Sequence, residues 1–459
     1  MLLSIAVLLP WVAGVLLVGL DGRRRVVGAL AVAAVGATVA VLGLLLAKVL
    51  ADGTQTVVTG NWPAGVGIVL RADPLAVTFG LLSVVVVLAA TVHELIIGIS
   101  ERTFPGLVVL LAGALTGLFL TGDVFNFYVF FELAMTASYA LTTYGGQRRQ
   151  LQAALLFTAV NLLGSFIFLI SVAGVYRVTG SLAMDAVRTH MAGVDPNAAI
   201  LIATGFFVAF SVKLGLFPFH FWLPTAYAGA RPAVAAILSG AVANIGTYGL
   251  LRFGAGIFPD QLRLAAVALI VLGAVSVIYG GVLAVARGDT AEMLAYSAIG
   301  QAGYVLVAIG VGGPVGLTAA VLYSIVNALN KALLFLGGAL RGTFVAGAFA
   351  IGAFSVAGVP PMAGFVGKLE MFRASIVAGS VALVVLLIVG SALSLIYMFQ
   401  VYQHQFWRGD QLATWASPLP LRLLVGILGL LVLAAGLWPE PLLAISSRAA
   451  DALLLGRIG

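Results

Sequence analysis

The sequence predicts an all-α, polytopic membrane protein of about fourteen transmembrane helices, and three observations carry that prediction. The chain of 459 residues is 62% hydrophobic and only 8% charged, whereas soluble domains average about 25% charged. Apolar stretches long enough to cross a bilayer, which takes roughly 20 residues, follow one another with short connections. Of the four lysines, Lys213, Lys331 and Lys368 lie inside such stretches, although burying an ammonium in a membrane costs on the order of 3 kcal/mol or more. Lysine can lose its proton when desolvated and arginine cannot. The pattern therefore points to a buried, titratable axis that moves protons or cations.

In chain order the candidate spans run 2–20, 26–50, 75–98, 104–121, 123–144, 152–175, 198–217, 232–253, 263–286, 290–311, 314–340, 343–372, 375–406 and 421–438. The first lacks a basic leading region and reads as a retained span rather than a cleaved leader. The longest polar-leaning connections, 51–73 and 177–196, are too short to form a soluble domain, so 1–459 reads as a single integral membrane unit. Two spans carry interior prolines. Pro218 and Pro224 flank Pro-Phe-His-Phe-Trp-Leu-Pro in the seventh, and Pro360 and Pro361 interrupt the twelfth. Proline removes a backbone donor and breaks a helix. Inside a bilayer, broken backbone survives only where protein covers it or water reaches it. A lysine stands beside each break, and paired breaks in two halves of a chain suggest an inverted repeat around an ion path.

The net charge of +7 suits loops facing an anionic leaflet. The scattered arginines give no nucleic-acid patch. Arg23, Arg24 and Arg25 and the pair Arg148 and Arg149 mark cytoplasmic loops, which places both termini on the outer side. Arg71, Arg177, Arg188, Arg252 and Arg263 fall on the other side in this count. The chain has no cysteine, which excludes disulfides and cysteine-ligated clusters. His93, His190, His220 and His404 have no metal-ligand spacing, so neither metal nor cofactor is expected.

Glu132, near the middle of the fifth span, is the natural partner of Lys213. Paired, it biases that lysine's affinity for a proton; the plainer alternative is a structural ion pair that fixes helix register. Lys213 itself either relays or snorkels to the interface. Lys331 lies mid-span behind Asn327 and Asn330, which could hydrate it. Lys368 and Glu370 read as a terminal gate or as an ordinary interfacial pair. His220 suits proton handoff because imidazole titrates near pH 6.5; a hydrogen-bonded structural histidine is the alternative. His93 with Glu94 reads as an interfacial pair, and His190 as loop. Tyr139, Tyr248, Tyr296, Ser297, Gln301 and Tyr304 either order water or act as glue between helices.

Four stretches resemble the antiporter-like subunits of proton-pumping NADH dehydrogenase (complex I). They are Thr121-Gly-Asp-Val-Phe-Asn-Phe-Tyr-Val-Phe-Phe-Glu132-Leu, Lys213-Leu-Gly-Leu-Phe-Pro-Phe-His-Phe-Trp-Leu-Pro224, Ala295-Tyr-Ser-Ala-Ile-Gly-Gln-Ala-Gly-Tyr304 and Gly358-Val-Pro-Pro-Met-Ala-Gly-Phe-Val-Gly-Lys368. Gly60-Asn-Trp-Pro-Ala-Gly-Val-Gly-Ile-Val-Leu-Arg-Ala-Asp-Pro-Leu75 is similar to the D subunit of Mrp-type multisubunit sodium/proton antiporters. The resemblance implies two inverted five-helix repeats with broken helices 7 and 12. It divides the chain into N-terminal helices 1–103, repeats 104–253 and 263–406, and a C-terminal helix in 421–459. It also implies a buried axis at Glu132, Lys213, Lys331 and Lys368, inside a hetero-oligomeric complex. Four features depart from the pattern. Asn244 stands where a lysine is expected, before Gly246 and Tyr248. Asn327 replaces a frequent histidine. Ala291 and Glu292 replace a basic pair, and the connection after Leu340 is short.

The expected function is that of a proton-translocating subunit of a monovalent cation (sodium)/proton antiporter in a prokaryotic plasma membrane. Its partners would be protons, Na+, lipid and other subunits, and it would not be an enzyme. The expected path is Glu132, Lys213, His220, Asn244, Asn327, Lys331 and Lys368, with water on Asn244 bridging the central gap. Separating Glu132 from Lys213 weakens the lysine's hold on its proton, which moves toward Lys331. The same axis would serve a redox-driven pump, such as a subunit of an NADH–quinone oxidoreductase or a membrane hydrogenase. A third reading makes the charges structural only.

Overall fold

The computed structural model describes residues 1–61, 67–407 and 417–454. Residues 62–66 of the Gly60 to Leu75 stretch, and 455–459 of the expected C-terminal segment, lie outside them. The chain is helical nearly throughout. Among the described residues, eleven helices are long and apolar enough to cross a membrane, and Leu2–Val18, Phe104–Leu120 and Thr343–Ala357 are shorter apolar helices. A two-stranded antiparallel hairpin lies outside the all-α expectation: β1 (Gln55–Val58) pairs with β2 (Val69–Ala72), Gln55 opposite Ala72 and Val58 opposite Val69. The sequence hides it because each strand is only four residues long and no alternating run is sustained. Gly122 N–H donates to Val69 C=O at 2.8 Å, so the hairpin lies against the start of the Glu132 helix.

Aspartates set where several helices begin. Asp73, Asp123, Asp195 and Asp289 each accept a backbone N–H from the first turn of Pro74–Ile97, Val124–Thr142, Pro196–Leu214 and Thr290–Val311. Such a cap satisfies a donor that has no partner within the helix.

Burial separates a core from a periphery. In Pro232–Ile257, 94% of the most apolar window is buried, whereas in Pro259–Val285 the share is 33%. Thr290–Val311, Gly313–Gly338 and Pro74–Ile97 belong with the first group. Outer helices carry apolar side chains such as Leu264, Val267, Val385 and Ile427 on their open faces, as a lipid-facing surface requires. Glycine lets core backbones touch: a Cβ at Gly280 would stand 2.5 Å from Gly300 N. Close approach of this kind is how helices associate in lipid.

Both expected breaks are present and are built alike. Pro196–Leu214 ends on Gly215 in the left-handed region (φ 63°), and the chain resumes as a short turn, Phe219–Trp222, and the helix Leu223–Gly229. Thr343–Ala357 ends on Gly358 (φ 84°) and resumes as Ala363–Val377. A Cβ at Gly358 would also stand 2.6 Å from Lys368 Cδ, so glycine serves both the turn and the passage of the lysine. Pro232–Ile257 is irregular in a different way, with wide turns at Leu238–Val242 and Leu250–Ile257 on either side of Asn244–Gly249. Wide turns of this sort often mark functional positions.

Arg252 is not a surface charge. It is counted on the outer side at the end of the expected span 232–253, but it lies inside Pro232–Ile257 and is only 6% exposed. Its Nη2 is 2.7 Å from the fully buried Asp73, and its Nε donates to the Tyr248 hydroxyl at 3.0 Å. Arg71 joins from β2, 3.3 Å from Asp73 and 2.5 Å from Asp185. Removing one partner of a buried pair strands the other charge and costs about 3–5 kcal/mol. Arg252→Gln is therefore expected to lower the thermal unfolding temperature of the purified protein in detergent. The double replacement Arg252→Gln with Asp73→Asn is expected to recover most of the loss; a double variant as unstable as the single one would refute the pairing account.

Candidate functional site

The site is a string of polar groups through the buried helices. Glu132 is half-buried on Val124–Thr142. Its Oε1 has no hydrogen-bond partner among the described residues, and its carboxylate lies in the neighbourhood of Ser165, Tyr128, Tyr139 and Lys213. The two charges do not meet as an ion pair. Lys213, 2% exposed in the last turn of Pro196–Leu214, points its Nζ at Met135 Sδ, 2.6 Å away, with the Phe157 ring centroid at 5.2 Å. Met135 follows Glu132 by three residues, so the ammonium sits about one turn along the same helix. The break behind it is closed by Trp222, whose indole N–H donates to the Val212 carbonyl at 3.0 Å.

Asn244 is buried, and its amide donates to Ser83 Oγ at 3.1 Å and to Gly240 C=O at 2.9 Å. It lines a cavity of about 20 Å³ together with Ser239, Thr247, Ser324, Asn327 and Tyr227. Leu214, next to Lys213, and Ala298, next to Ser297, also reach this cavity. A space of this size holds one water, given polar partners. Asn327 Oδ1 is buried and has no partner among the described residues, which suits a wall that faces water. Asn244 and Asn327 thus meet at one polar cavity.

Lys331 is fully buried on Gly313–Gly338, and its Nζ donates to Leu294 C=O at 3.2 Å and Ser297 Oγ at 2.9 Å. Its partners are therefore on Thr290–Val311, not the expected Asn327 and Asn330. Lys368 turns inward to the Ala357 carbonyl at 3.0 Å, and the Tyr304 ring centroid is 5.4 Å from its Nζ. Glu370 pairs instead with Arg373 at 3.5 Å; two residues apart on a helix, Lys368 and Glu370 face different ways. His220 is half-buried between Tyr279, at 4.4 Å, and Phe217, at 5.5 Å between ring centroids. Its Nδ1 is unpartnered among the described residues, and neither ring contact is with Lys213. Among the described residues no carboxylate lies within ion-pair distance of any of the three buried lysines.

Other expectations also meet their geometry here. His93 and Glu94 do pair, at 3.6 Å, but inside the protein, where Glu94 also holds Arg231 at 3.6 Å and the Tyr144 hydroxyl at 3.0 Å. His190 lies on the helix Met184–Met191, bonded to the Thr179 carbonyl. Sequence reasoning misses Met135, Ser83 and Tyr397 as neighbours of the axis; helical spacing from Glu132 flags Met135, but nothing local marks the other two.

Residues 121–343 match the family described as NADH:quinone oxidoreductase/Mrp antiporter, TM, a segment that holds every expected path residue except Lys368. The D subunit of a Na(+)/H(+) antiporter from Alkalihalophilus pseudofirmus is 31% identical, with 90% of this chain and 90% of that protein covered. A chain in the structure of the Mrp complex from Dietzia sp. DQ12-45-1b is 27% identical with a TM-score of 0.89, covering 98% of this chain and 97% of that one. A chain of respiratory complex I from Thermus thermophilus is 25% identical with a TM-score of 0.87 over 100% of both. With that degree of identity over nearly its whole length, this chain belongs to the family of the antiporter D subunits, within the wider NADH:quinone oxidoreductase/Mrp antiporter family.

Proposed function

We infer that the chain is the proton-translocating D-type subunit of a multisubunit Na+/H+ antiporter, working with its partner subunits in a prokaryotic plasma membrane. The observation that carries the path is that all three buried lysines are held by neutral groups alone: a thioether, a carbonyl with a hydroxyl, and a carbonyl. A fixed carboxylate would lock an ammonium in place. Neutral acceptors let proton and amine part without stranding a counter-charge. Glu132, half-buried and one turn away, is the movable counter-charge. When it approaches, Lys213 keeps its proton; when it withdraws, the proton moves to the cavity between Asn244 and Asn327 and on to Lys331 and Lys368. His220 stands at the broken helix as a further titratable group. The matching glycine-ended breaks at Gly215 and Gly358 support two repeats, 104–253 and 263–406. The arginine clusters at 23–25 and 148–149 support termini on the outer side.

The similarity to a respiratory complex I chain over its full length favours a second reading, the same axis driven by electron transfer in neighbouring subunits. Proteins that co-purify in mild detergent separate the two: small antiporter subunits support the first, flavin or iron–sulfur proteins the second.

Lys213→Ala and Lys331→Ala are each expected to abolish sodium-driven proton exchange in membrane vesicles while the complex still assembles; wild-type exchange from an assembled variant would refute the axis. Asn244→Leu fills the cavity with hydrocarbon and removes its amide. It is expected to slow exchange by about tenfold or more, and unchanged exchange would show that no proton crosses there.

A further inference from the structure

We propose that the hydroxyls of Ser297, Tyr397, Ser394 and Tyr304 carry the proton between Lys331 and Lys368, and that Gln301 sets the direction in which they point. The proposal rests on the lysine axis and supplies the segment between its last two members.

Ser297, Gln301 and Tyr304 share one face of Thr290–Val311, at i, i+4 and i+7. Ser391, Ser394 and Tyr397 face them from Val381–Tyr402, and except for Ser391 the members of this cluster are 2% exposed or less. Lys331 Nζ donates to Ser297 Oγ at 2.9 Å. The Tyr397 hydroxyl is flanked by Ser297 and Ser394 and donates to Ser394 Oγ at 3.1 Å. The Tyr304 hydroxyl lies near Ser391 and Ser394, and both it and Ser391 Oγ are buried without a formed hydrogen bond. Gly390 makes the room, since a Cβ there would stand 2.2 Å from that hydroxyl. The Tyr304 ring in turn carries the Lys368 ammonium on its face. One end of the cluster thus touches Lys331 and the other touches Lys368.

Gln301 donates through Nε2 to the Tyr397 hydroxyl at 2.9 Å and accepts from the Tyr323 hydroxyl through Oε1. An amide neither takes up nor gives up a proton near neutral pH, so it is no step on the route. By donating to Tyr397 it fills an acceptor site there and leaves the phenol hydrogen to point at Ser394. Gln301 is a positioning residue.

The transfer balances. Ser297 takes a proton from the Lys331 ammonium as its own passes to Tyr397; Tyr397 gives one to Ser394; Ser394, whose hydroxyl donates to the Gly390 carbonyl at 2.8 Å and turns from it for this step, gives one to Tyr304, and Tyr304 one to the Lys368 amine. At each oxygen one O–H bond forms and one breaks. Lys331 ends neutral, Lys368 ends charged, and every hydroxyl remains uncharged. One water or a turn of the Lys368 side chain closes the last step, and rotation of the hydroxyls resets the chain.

The test uses the assembled complex in vesicles. Tyr397→Phe keeps the ring and removes the hydroxyl. It is expected to slow cation-driven proton exchange about tenfold or more and to raise the solvent deuterium isotope effect, because the interrupted transfer becomes rate-limiting. Ser394→Ala is expected to act in the same direction and carries the test alone if Tyr397→Phe fails to assemble. Wild-type exchange in these variants, beside an inactive Lys331→Ala, overturns the hydroxyl link and leaves the lysine axis standing. Slower exchange with an unchanged isotope effect assigns Tyr397 to packing and also overturns the link. An active Lys331→Ala removes the axis and the link together.

Discussion

An ionisable group in a membrane protein must find its partners inside the protein, because hydrocarbon offers none. This chain meets that constraint in two opposite ways. Arg252, which cannot give up its proton, is locked to the fully buried Asp73 at 2.7 Å and bonded to Tyr248. Lys213, Lys331 and Lys368, which can, are left with a sulfur, a hydroxyl and backbone carbonyls. A permanent charge is given a permanent counter-charge, and a titratable one is given acceptors that tolerate either state. The same distinction separates the structural charge of Arg252 from the charges of the proposed axis.

The backbone is irregular where those groups need it to be. A regular helix spends its carbonyls on its own amides, so a carbonyl available to an ammonium comes most easily from a helix end or a break. Lys213 sits in the last turn before Gly215, where the helix dipole favours a positive charge. Lys368 reaches the carbonyl of Ala357, the last residue before Gly358. Lys331 lies within an unbroken helix, and borrows instead from its neighbour: the Leu294 carbonyl and the Ser297 hydroxyl, in the first two turns of Thr290–Val311. The glycine-ended breaks thus stand beside two of the three lysines of the proposed axis.

Much of this is legible in the sequence because lipid imposes so few solutions. Long apolar stretches have to be helices, so the spans can be placed, and Pro218 and Pro361 mark both breaks. Rare intramembrane lysines announce themselves by type alone. What escapes is contact between distant segments. Arg252 reads as a charge at the outer end of its span because nothing near it in sequence reveals Asp73, 179 residues away. Adjacency joins Glu370 to Lys368, though helix geometry turns it to Arg373. Adjacency likewise assigns Asn330 to Lys331, while the actual partner, Ser297, lies 34 residues earlier. The hairpin escapes because four-residue strands carry too little pattern to be read.

On the proposed path, Asn244 and Asn327 decide how the two halves communicate. A lysine at 244 would need room for a longer side chain and a partner for its charge, and the cavity there is about 20 Å³. Asn244 fits because its amide is satisfied by Ser83 and Gly240, leaving a neutral polar wall rather than a proton-holding site. Such a wall cannot store a proton, so on the proposed path transfer across it runs from Lys213 to Lys331 in one event through water. A path with a storage site at its centre can be loaded from both ends independently; a path without one couples its ends. On that path the state of Glu132 on one side bears directly on Lys331 on the other, and an asparagine at 244 tightens the coupling rather than cutting the route.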